Sequence, residues 1–139
     1  LYGGVGFFSA WIAPLVEVVT LVESYPPAAT DAEENLAEFD NVDIIEGTAE
    51  DVLDALDEAE TTYTAVVLDP PSEGLSLDVV DRLGESKIPR VVYVASDPAT
   101  LARDAQRLAR KGYRLGPVIP LDLNPQTYYV DAVALLERG

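Results

Sequence analysis

Three glycines near the start of the chain could bring backbone amides against a bound ligand. Gly3, Gly4 and Gly6 precede a short predicted helix, Phe7–Ala13, and glycine lets the backbone approach a phosphate or sugar closely. Glu23 ends the next predicted strand, where an acid typically accepts hydrogen bonds from ribose hydroxyls. A plain tight turn and an exposed strand-end acid are the alternatives. Together these residues predict a nucleotide-containing cofactor, either NAD or S-adenosylmethionine (SAM).

A second motif, Asp69-Pro70-Pro71, follows a buried apolar strand. Two prolines stiffen a loop, and ligands bind at the carboxyl ends of the strands in sheets of this kind. Dehydrogenases do not usually carry this motif at that place, whereas methyltransferases do. A rigid turn without function is the alternative. The motif therefore favours SAM over NAD.

The chain contains neither cysteine nor histidine. Their absence excludes disulfides, cysteine nucleophiles, Ser-His-Asp triads and the usual zinc ligands, so we expect no metal site. The chemistry that remains depends on carboxylates, hydroxyls, backbone amides and a few arginines.

Strand and helix patterns alternate along the 139 residues, a length that fits one domain. The predicted strands are Val16–Val22, Val42–Ile45, Thr64–Leu68, Val91–Val94, Tyr113–Leu121 and Tyr129–Leu136. After Phe7–Ala13, helices are predicted from Pro26 through about Phe39 and behind the caps Thr48, Ser76 and Asp97. The last two strands lack room for a crossover helix and must pair antiparallel. The pattern predicts an α/β fold, doubly wound and mostly parallel, with a C-terminal antiparallel hairpin. Because the first strand is almost wholly absent, we expect the chain to be the C-terminal part of a longer protein.

Charge is distributed unevenly along the chain, whose net charge is −16. Residues 1–81 contain nineteen acids and no Lys or Arg, whereas all nine bases lie in residues 82–139. Such acidity disfavours nucleic-acid binding by overall charge in dilute salt and is typical of halophilic cytoplasmic proteins. No signal peptide or spanning segment is present, so we expect a cytoplasmic protein without membrane contact.

Three segments resemble the catalytic domain of the RNA 5-methyluridine methyltransferases, which add a methyl group to uracil C5. They are Val66–Gly74 (VVLDPPSEG), Val92–Asp104 (VYVASDPATLARD) and Asn124–Leu136 (NPQTYYVDAVALL). Leu1–Ser9 resembles the SAM loop of that family. The resemblance covers the whole chain and implies a Rossmann-like class I methyltransferase domain over residues 1–139. It also implies SAM as cofactor and a tRNA or rRNA substrate, bound mainly by missing N-terminal regions. The SAM contacts that it implies are Tyr2, Gly4, Gly6, Glu23 and Asp69.

The departures from the family pattern fall on the reacting groups. Ser96 stands where the family has the cysteine nucleophile, and Asp131 where it has the glutamate that removes the C5 proton. Thr48 and Ser72 replace an acid and an arginine of the family. We expect uracil-C5 transfer to be impaired, because a hydroxyl is much harder to ionise than a thiol. The alternatives are a SAM- or RNA-binding module without turnover, transfer to another acceptor atom and, less favoured, a nucleotide-dependent oxidoreductase.

Five of the nine bases lie within twelve residues near the end of the last predicted helix. They could contact RNA phosphates, but cations at a helix C-terminus that complement the helix dipole are the favoured interpretation. The five are Arg103, Arg107, Arg110, Lys111 and Arg114.

Overall fold

Strands and helices alternate until the last two strands, which follow one another directly. A computed structural model describes all 139 residues, Leu1–Gly139. The strands are β1 (Val19–Glu23), β2 (Val42–Glu46), β3 (Val66–Leu68), β4 (Arg90–Ala95), β5 (Tyr113–Leu121) and β6 (Asp131–Arg138). The helices are α1 (Phe7–Ile12), α2 (Pro26–Asn35), α3 (Ala49–Glu58), α4 (Leu77–Glu85) and α5 (Pro98–Arg110), with a 3₁₀ turn over Ala13–Leu15. The chain divides into two compact units, an N-terminal unit, Leu1–Val52, and a C-terminal unit, Leu53–Gly139.

The N-terminal unit is built around a parallel pair of strands. β1 and β2 run in register from Val19 opposite Val42 to Glu23 opposite Glu46. Leu21 of β1 packs with Ala32 and Leu36, which come from α2 and its C-terminal end. The apolar residues of the strand therefore hold α2 in place, and Glu23 is left at the carboxyl end of β1.

The C-terminal unit contains a four-stranded sheet in the order β3-β4-β6-β5. β3 pairs parallel to β4, and β6 lies antiparallel between β4 and β5. The largest fully buried side chains of this unit include Tyr93, Tyr113, Leu83 and Leu108. The parallel pairs and the C-terminal antiparallel hairpin confirm the predicted α/β fold.

The predicted helix caps form as expected. The Ser76 hydroxyl accepts a hydrogen bond of 3.1 Å from the Val79 amide at the start of α4. The Asp97 carboxylate accepts one of 3.0 Å from the Ala99 amide at the start of α5. The Thr48 hydroxyl does the same for the Asp51 amide before α3, at 3.1 Å. Each side chain satisfies an amide that has no partner within its helix.

Two predicted elements of the N-terminal unit are longer than those observed. The first strand begins at Val19 rather than Val16, because the side-chain amide of Asn41 donates to the carbonyls of Ala13 and Val16 and holds that segment outside the sheet. α2 ends at Asn35 rather than near Phe39. Its last turn has no basic residue and the segment is rich in acids, which oppose the helix dipole there.

Two strands of the C-terminal unit also differ from their predicted bounds. Thr64 and Ala65 are exposed, and only Val66–Leu68 pairs with β4. The final strand begins at Asp131 rather than Tyr129, because a turn closed by the Thr127 amide on the Asn124 carbonyl at 3.2 Å lengthens the connection. No helix combines the length and the apolar character needed to cross a membrane.

Candidate functional site

The glycine segment of the N-terminal unit is a tight turn alongside β1. The Gly3 amide donates to the Val22 carbonyl at 2.8 Å, and the Gly6 amide donates to the Gly3 carbonyl at 3.1 Å. Gly4 and Gly6 have φ angles of 53° and 92°, in the left-handed region that favours glycine. The turn therefore depends on glycine for its backbone conformation.

The surroundings of the three glycines separate their roles. A Cβ atom on Gly3 would collide with the Leu21 side chain, and one on Gly6 would lie 2.7 Å from Leu36 Cδ1. A Cβ atom on Gly4 would meet nothing within 4 Å. Gly3 and Gly6 thus permit close packing of the turn against the core, whereas Gly4 borders open space that a ligand can occupy.

Glu23 binds the same turn through its side chain. One carboxylate oxygen accepts a hydrogen bond from the Gly4 amide at 2.8 Å, and the other accepts one from the Tyr25 amide at 2.7 Å. A carboxylate offers about four lone-pair sites, so acceptor capacity remains for ligand hydroxyls. Tyr2, also predicted to contact SAM, lies just before the turn with a φ of 59°. The structure therefore brings Tyr2, Gly4, Gly6 and Glu23 into one short region of the N-terminal unit.

The predicted residues of the C-terminal unit come together at one edge of its sheet. Asp69 follows β3 directly, and Ser96 follows β4, which runs parallel to β3. Asp131 is the first residue of β6, one position beyond the Ala95–Ala132 pair that ends the β4–β6 ladder. The strand pairing thus places Asp69, Ser96 and Asp131 at neighbouring strand ends.

A shallow cleft lies beside these strand ends. Its space measures about 140 Å³ and is open to solvent. Its walls come from the loop after β3, from β4 and from the start of α5. The lining residues are Pro70, Pro71, Ser72, Tyr93, Ala95, Ser96, Asp97 and Thr100. Ser96 therefore lines the same cleft as the Pro70-Pro71 loop.

The carboxyl groups at this edge differ in acidity. Burial raises the pKa of Asp69 above its ordinary value, and the negative charge of Asp131 raises it further. The pKa of Asp97 is lowered by hydrogen bonds from the Thr100 hydroxyl and the Ala99 amide, which stabilise the ionised form. Asp69 is consequently a better proton acceptor than Asp97.

The sequence prediction missed a fully buried carboxylate, Asp104 of α5. It forms ion pairs with Arg103 at 2.9 Å and with Arg107 at 3.2 Å. The sequence contained one indication that Asp104 is buried, because Asp104 lies on the apolar face of α5 with Leu101 and Leu108. An acid at such a position needs partners, and the adjacent arginines supply them.

The basic run therefore divides into separate roles. Arg107 and Arg110 lie in the last turn of α5, as the helix-dipole interpretation predicted. That interpretation is wrong for Arg103, which pairs with Asp104 well before the helix end. Lys111 pairs with Asp81 of α4 at 2.8 Å, and this hydrogen bond raises its pKa.

Known proteins match the chain along its whole length. The family model described as tRNA (uracil-5-)-methyltransferase matches residues 1–139. A 23S rRNA (uracil(1939)-C(5))-methyltransferase from Pseudomonas fluorescens is 38% identical over 141 residues, covering 100% of this chain and 31% of that protein. An uncharacterized RNA methyltransferase from Streptomyces coelicolor is 41% identical over 142 residues, covering 99% of this chain and 30% of that protein.

Solved structures agree with the sequence matches. The tRNA (uracil-54, C5)-methyltransferase of Pyrococcus abyssi, solved with S-adenosyl-L-homocysteine (SAH), superposes with a TM-score of 0.84 at 30% identity. That superposition covers 97% of this chain and 32% of the Pyrococcus chain. Fibrillarin from Aeropyrum pernix, solved with SAM, has a TM-score of 0.74 at 14% identity, covers 95% of this chain and 63% of its own, and shows the fold alone.

The chain spans about a third of the length of the curated relatives that it matches. The family match nevertheless runs from the first residue to the last. On that evidence, and with a fold that agrees, the chain belongs to the tRNA (uracil-5-)-methyltransferase family.

Proposed function

We propose that this chain is the catalytic domain of a SAM-dependent RNA methyltransferase of the uracil-C5 type. The observation that carries the proposal is the Glu23 carboxylate, held by the amides of Gly4 and Tyr25 at the carboxyl end of β1. It is fixed in place, keeps acceptor capacity and adjoins the open face of Gly4. The Pyrococcus abyssi relative was solved with SAH, which supports a cofactor of the same class here.

The residues of the N-terminal unit fit SAM in their chemistry. Glu23 would accept hydrogen bonds from the ribose hydroxyls, and Gly4 would let the backbone approach the cofactor without a side chain in the way. Tyr2 and Gly6 complete the proposed contacts of this unit, and Asp69 is a further contact that the family resemblance implies. When bound, SAM supplies a methyl group attached to a positively charged sulfur.

The C-terminal unit contains the residues that would act on the methyl acceptor. Uracil C5 is a poor nucleophile until a protein group adds to C6, and Ser96 occupies the position for that addition. Once C5 carries the methyl group, Asp131, at the neighbouring strand end, would remove the proton from C5, and the bond between Ser96 and C6 would break to restore the serine and release the methylated base. A tRNA or rRNA uridine is the proposed substrate, since the Pyrococcus and Pseudomonas relatives are named for tRNA and 23S rRNA uracil respectively.

Ionisation of the Ser96 hydroxyl would limit the rate of this reaction. A serine hydroxyl must lose its proton to add to C6, and the chain contains no histidine to accept it. Asp97, the adjacent carboxylate, is a weak base because hydrogen bonds lower its pKa. Asp131 is also one methylene shorter than glutamate, and a displacement of about 1 Å can cost ~100-fold in rate. We therefore propose slow covalent addition.

The same residue favours a second candidate function. A domain that keeps the SAM contacts but has a hydroxyl as its nucleophile would bind cofactor and RNA with little or no turnover. Nothing about Glu23 or the glycine turn distinguishes this binding module from an enzyme. The two candidates differ only in what happens at Ser96.

Trapping of a covalent adduct tests the proposal. Full-length protein with Ser96→Cys, given SAM and RNA that contains 5-fluorouridine, should form a protein–RNA adduct that survives denaturation, because a thiolate is accessible near neutral pH. The Ser96 protein should form little or none. An adduct of equal yield from the Ser96 protein would contradict slow addition and exclude the binding module.

The Asp131→Glu substitution, made in the Ser96→Cys protein, tests the proton-removing group on RNA that contains ordinary uridine. 5-Fluorouridine has no proton at C5, so a misplaced carboxylate cannot prevent the adduct, but it should slow turnover of uridine. If the carboxylate of Asp131 is misplaced, the added methylene should speed that turnover. If the Ser96→Cys protein forms no adduct although SAH binds, uracil is not the acceptor, and transfer to another atom or binding without turnover takes its place.

A further inference from the structure

Asp104 is a buried carboxylate for which the proposed chemistry has no use. It accepts hydrogen bonds from the Leu75 amide at 2.8 Å, the Tyr93 hydroxyl at 2.8 Å, Arg103 Nε at 2.9 Å and an Arg107 guanidinium nitrogen at 3.2 Å. The four donors come from a loop, from β4 and from α5. A carboxylate with donors on three elements holds those elements in one arrangement.

The loop that Asp104 binds is the one that follows the Asp-Pro-Pro motif. Arg103, oriented by Asp104, donates to the Glu73 carbonyl at 2.6 Å. Thr100, one turn earlier on α5, donates to the Ser72 carbonyl at 3.1 Å. Successive residues of this loop are therefore attached to one face of α5.

Gly74 makes the close approach possible. Its φ is +80°, and a Cβ atom there would collide with Asp104 and Thr100. The loop is further closed by the Gly74 amide, which donates to the Pro71 carbonyl at 2.8 Å. The glycine, the carboxylate and the arginine form one fastening between the loop and α5.

The residues of the fastening adjoin those that line the cleft beside Ser96. Ser72, Tyr93 and Thr100 each line that cleft. Tyr93 donates to Asp104 directly, and Thr100 holds Ser72 through a separate hydrogen bond one turn earlier on α5. The Thr100 hydroxyl is also 2.9 Å from the carboxylate of Asp97, next to Ser96 in the chain, and shares its one proton between that carboxylate and the Ser72 carbonyl. Asp104 therefore binds one residue of the cleft, Tyr93, and through Leu75 and Arg103 it binds the loop that continues from Pro70–Ser72.

We propose that Asp104 is a positioning residue that fixes the Pro70–Ser72 wall of the cleft relative to Ser96. Its role in transfer rests on the proposed function, because the cleft is where the acceptor base would bind. Asp104 does not touch the reacting atoms. Its loss should loosen the loop and slow turnover, while the cofactor contacts of Glu23 and Gly4 in the N-terminal unit are kept.

Asp104→Asn in the full-length protein is the test, because asparagine keeps the size but replaces one acceptor oxygen with an amino group. That group must face donors, either Arg103 and Arg107 or Leu75 and Tyr93. Asp81→Asn is the matched control, since Asp81 is an exposed acid that pairs with Lys111, just after α5 and away from the loop. Hydrogen exchange followed by mass spectrometry reports the loop directly.

In Asp104→Asn we expect the exchange rates of the Gly74 and Leu75 amides to rise about tenfold more than those of the β4 and α4 amides. The control should match the unsubstituted protein. In the Ser96→Cys background, kcat for methyl transfer should fall about tenfold while the SAH dissociation constant changes by less than about threefold.

Three results would overturn the proposal: unchanged exchange at the loop, equally faster exchange throughout residues 53–139, or a loosened loop with unchanged kcat. A different result marks failure of the proposed function. If the unsubstituted and Ser96→Cys proteins bind no SAH and transfer no methyl group, the role of Asp104 in transfer is overturned with it. The exchange measurement still decides whether Asp104 fastens the loop.

Discussion

Glu23 and Asp104 are carboxylates that the two units use in opposite ways. Glu23 accepts two backbone amides in a unit that contains no Lys or Arg. Asp104 is fully buried and accepts from two arginines, a tyrosine and a backbone amide. A carboxylate has about four acceptor sites, so Asp104 is saturated by its own chain whereas Glu23 is not. Charge and burial alone therefore do not mark a binding group, and unused acceptor capacity is the better guide.

The stability of the two units should respond differently to loss of these carboxylates. Asp104→Ala leaves the buried Tyr93 hydroxyl and Leu75 amide without their acceptor, which we expect to cost about 3 kcal/mol. Glu23→Ala should cost less than about 1 kcal/mol, because water can reach the amides that it frees. Hydrogen exchange of the slowest amides in each unit of the full-length protein measures both. Equal losses would contradict the division of roles.

Two glycines allow a matched comparison of strain with binding. Gly4 and Gly112 both have positive φ, and a Cβ atom on either would meet nothing within 4 Å. Alanine at either position should therefore cost about 1–2 kcal/mol of backbone strain. Only Gly4→Ala should also weaken SAH binding, measured by calorimetry, because only Gly4 borders the proposed cofactor site. Equal affinity in both variants would remove Gly4 from that site.

Much of this arrangement was predictable from local sequence signals. The caps at Ser76 and Asp97, the glycine turn with Glu23 and the terminal hairpin depend on residues close in sequence or on simple periodicity. Element ends were predicted less well, because they depend on distant contacts. β1 begins late because Asn41, more than twenty residues away, binds the segment before it.

The fastening around Asp104 was not predicted for a related reason. Its donors, Leu75, Tyr93, Arg103 and Arg107, lie on three elements whose packing the sequence pattern does not specify. An acid on an apolar helix face and arginines beside it were visible. The position of the loop, and so the partner of Gly74, required the fold.

Raising the salt concentration should stabilise the N-terminal unit and weaken the ion pairs of the C-terminal unit. The N-terminal unit has acids without any cation to pair with, so raising KCl from low to molar concentration should screen repulsion and slow its amide exchange. The exposed ion pairs of the C-terminal unit, such as Arg90–Glu137, are worth about 0.2–1 kcal/mol each and should weaken. Exchange independent of KCl in residues 1–52 would remove the proposal that the acidic surface suits high salt.

The carboxyl groups of Asp97 and Asp69 should contribute to stability in opposite directions as the pH changes. Asp97, whose pKa is lowered, adds stability that is present above its ordinary pKa of 3.8 and is lost as the pH falls through its folded value. Asp69, whose pKa is raised by burial and by Asp131, favours folding at low pH and loses that contribution as the pH rises from 3.8 through its folded value.

Carbon-13 NMR of the side-chain carboxyls reads both groups. Thr100→Val should raise the pKa of Asp97, since the Thr100 hydroxyl is the main cause of its shift. Asp131→Asn should lower the pKa of Asp69 without restoring it fully, because burial remains. A pKa of Asp69 below that of Asp97 in the unsubstituted protein would contradict the assignment of Asp69 as the better proton acceptor.

Calorimetry with SAH on full-length protein in molar KCl is the sharpest test of the claim that Glu23 holds a SAM-type cofactor. Glu46 is the matched control, because it is opposite Glu23 at the end of the neighbouring strand and carries the same charge. Glu23→Ala should weaken SAH binding by about 1–3 kcal/mol, and Glu46→Ala should leave it within about twofold. Equal losses from both variants, or binding of NAD with no binding of SAH, would contradict the claim.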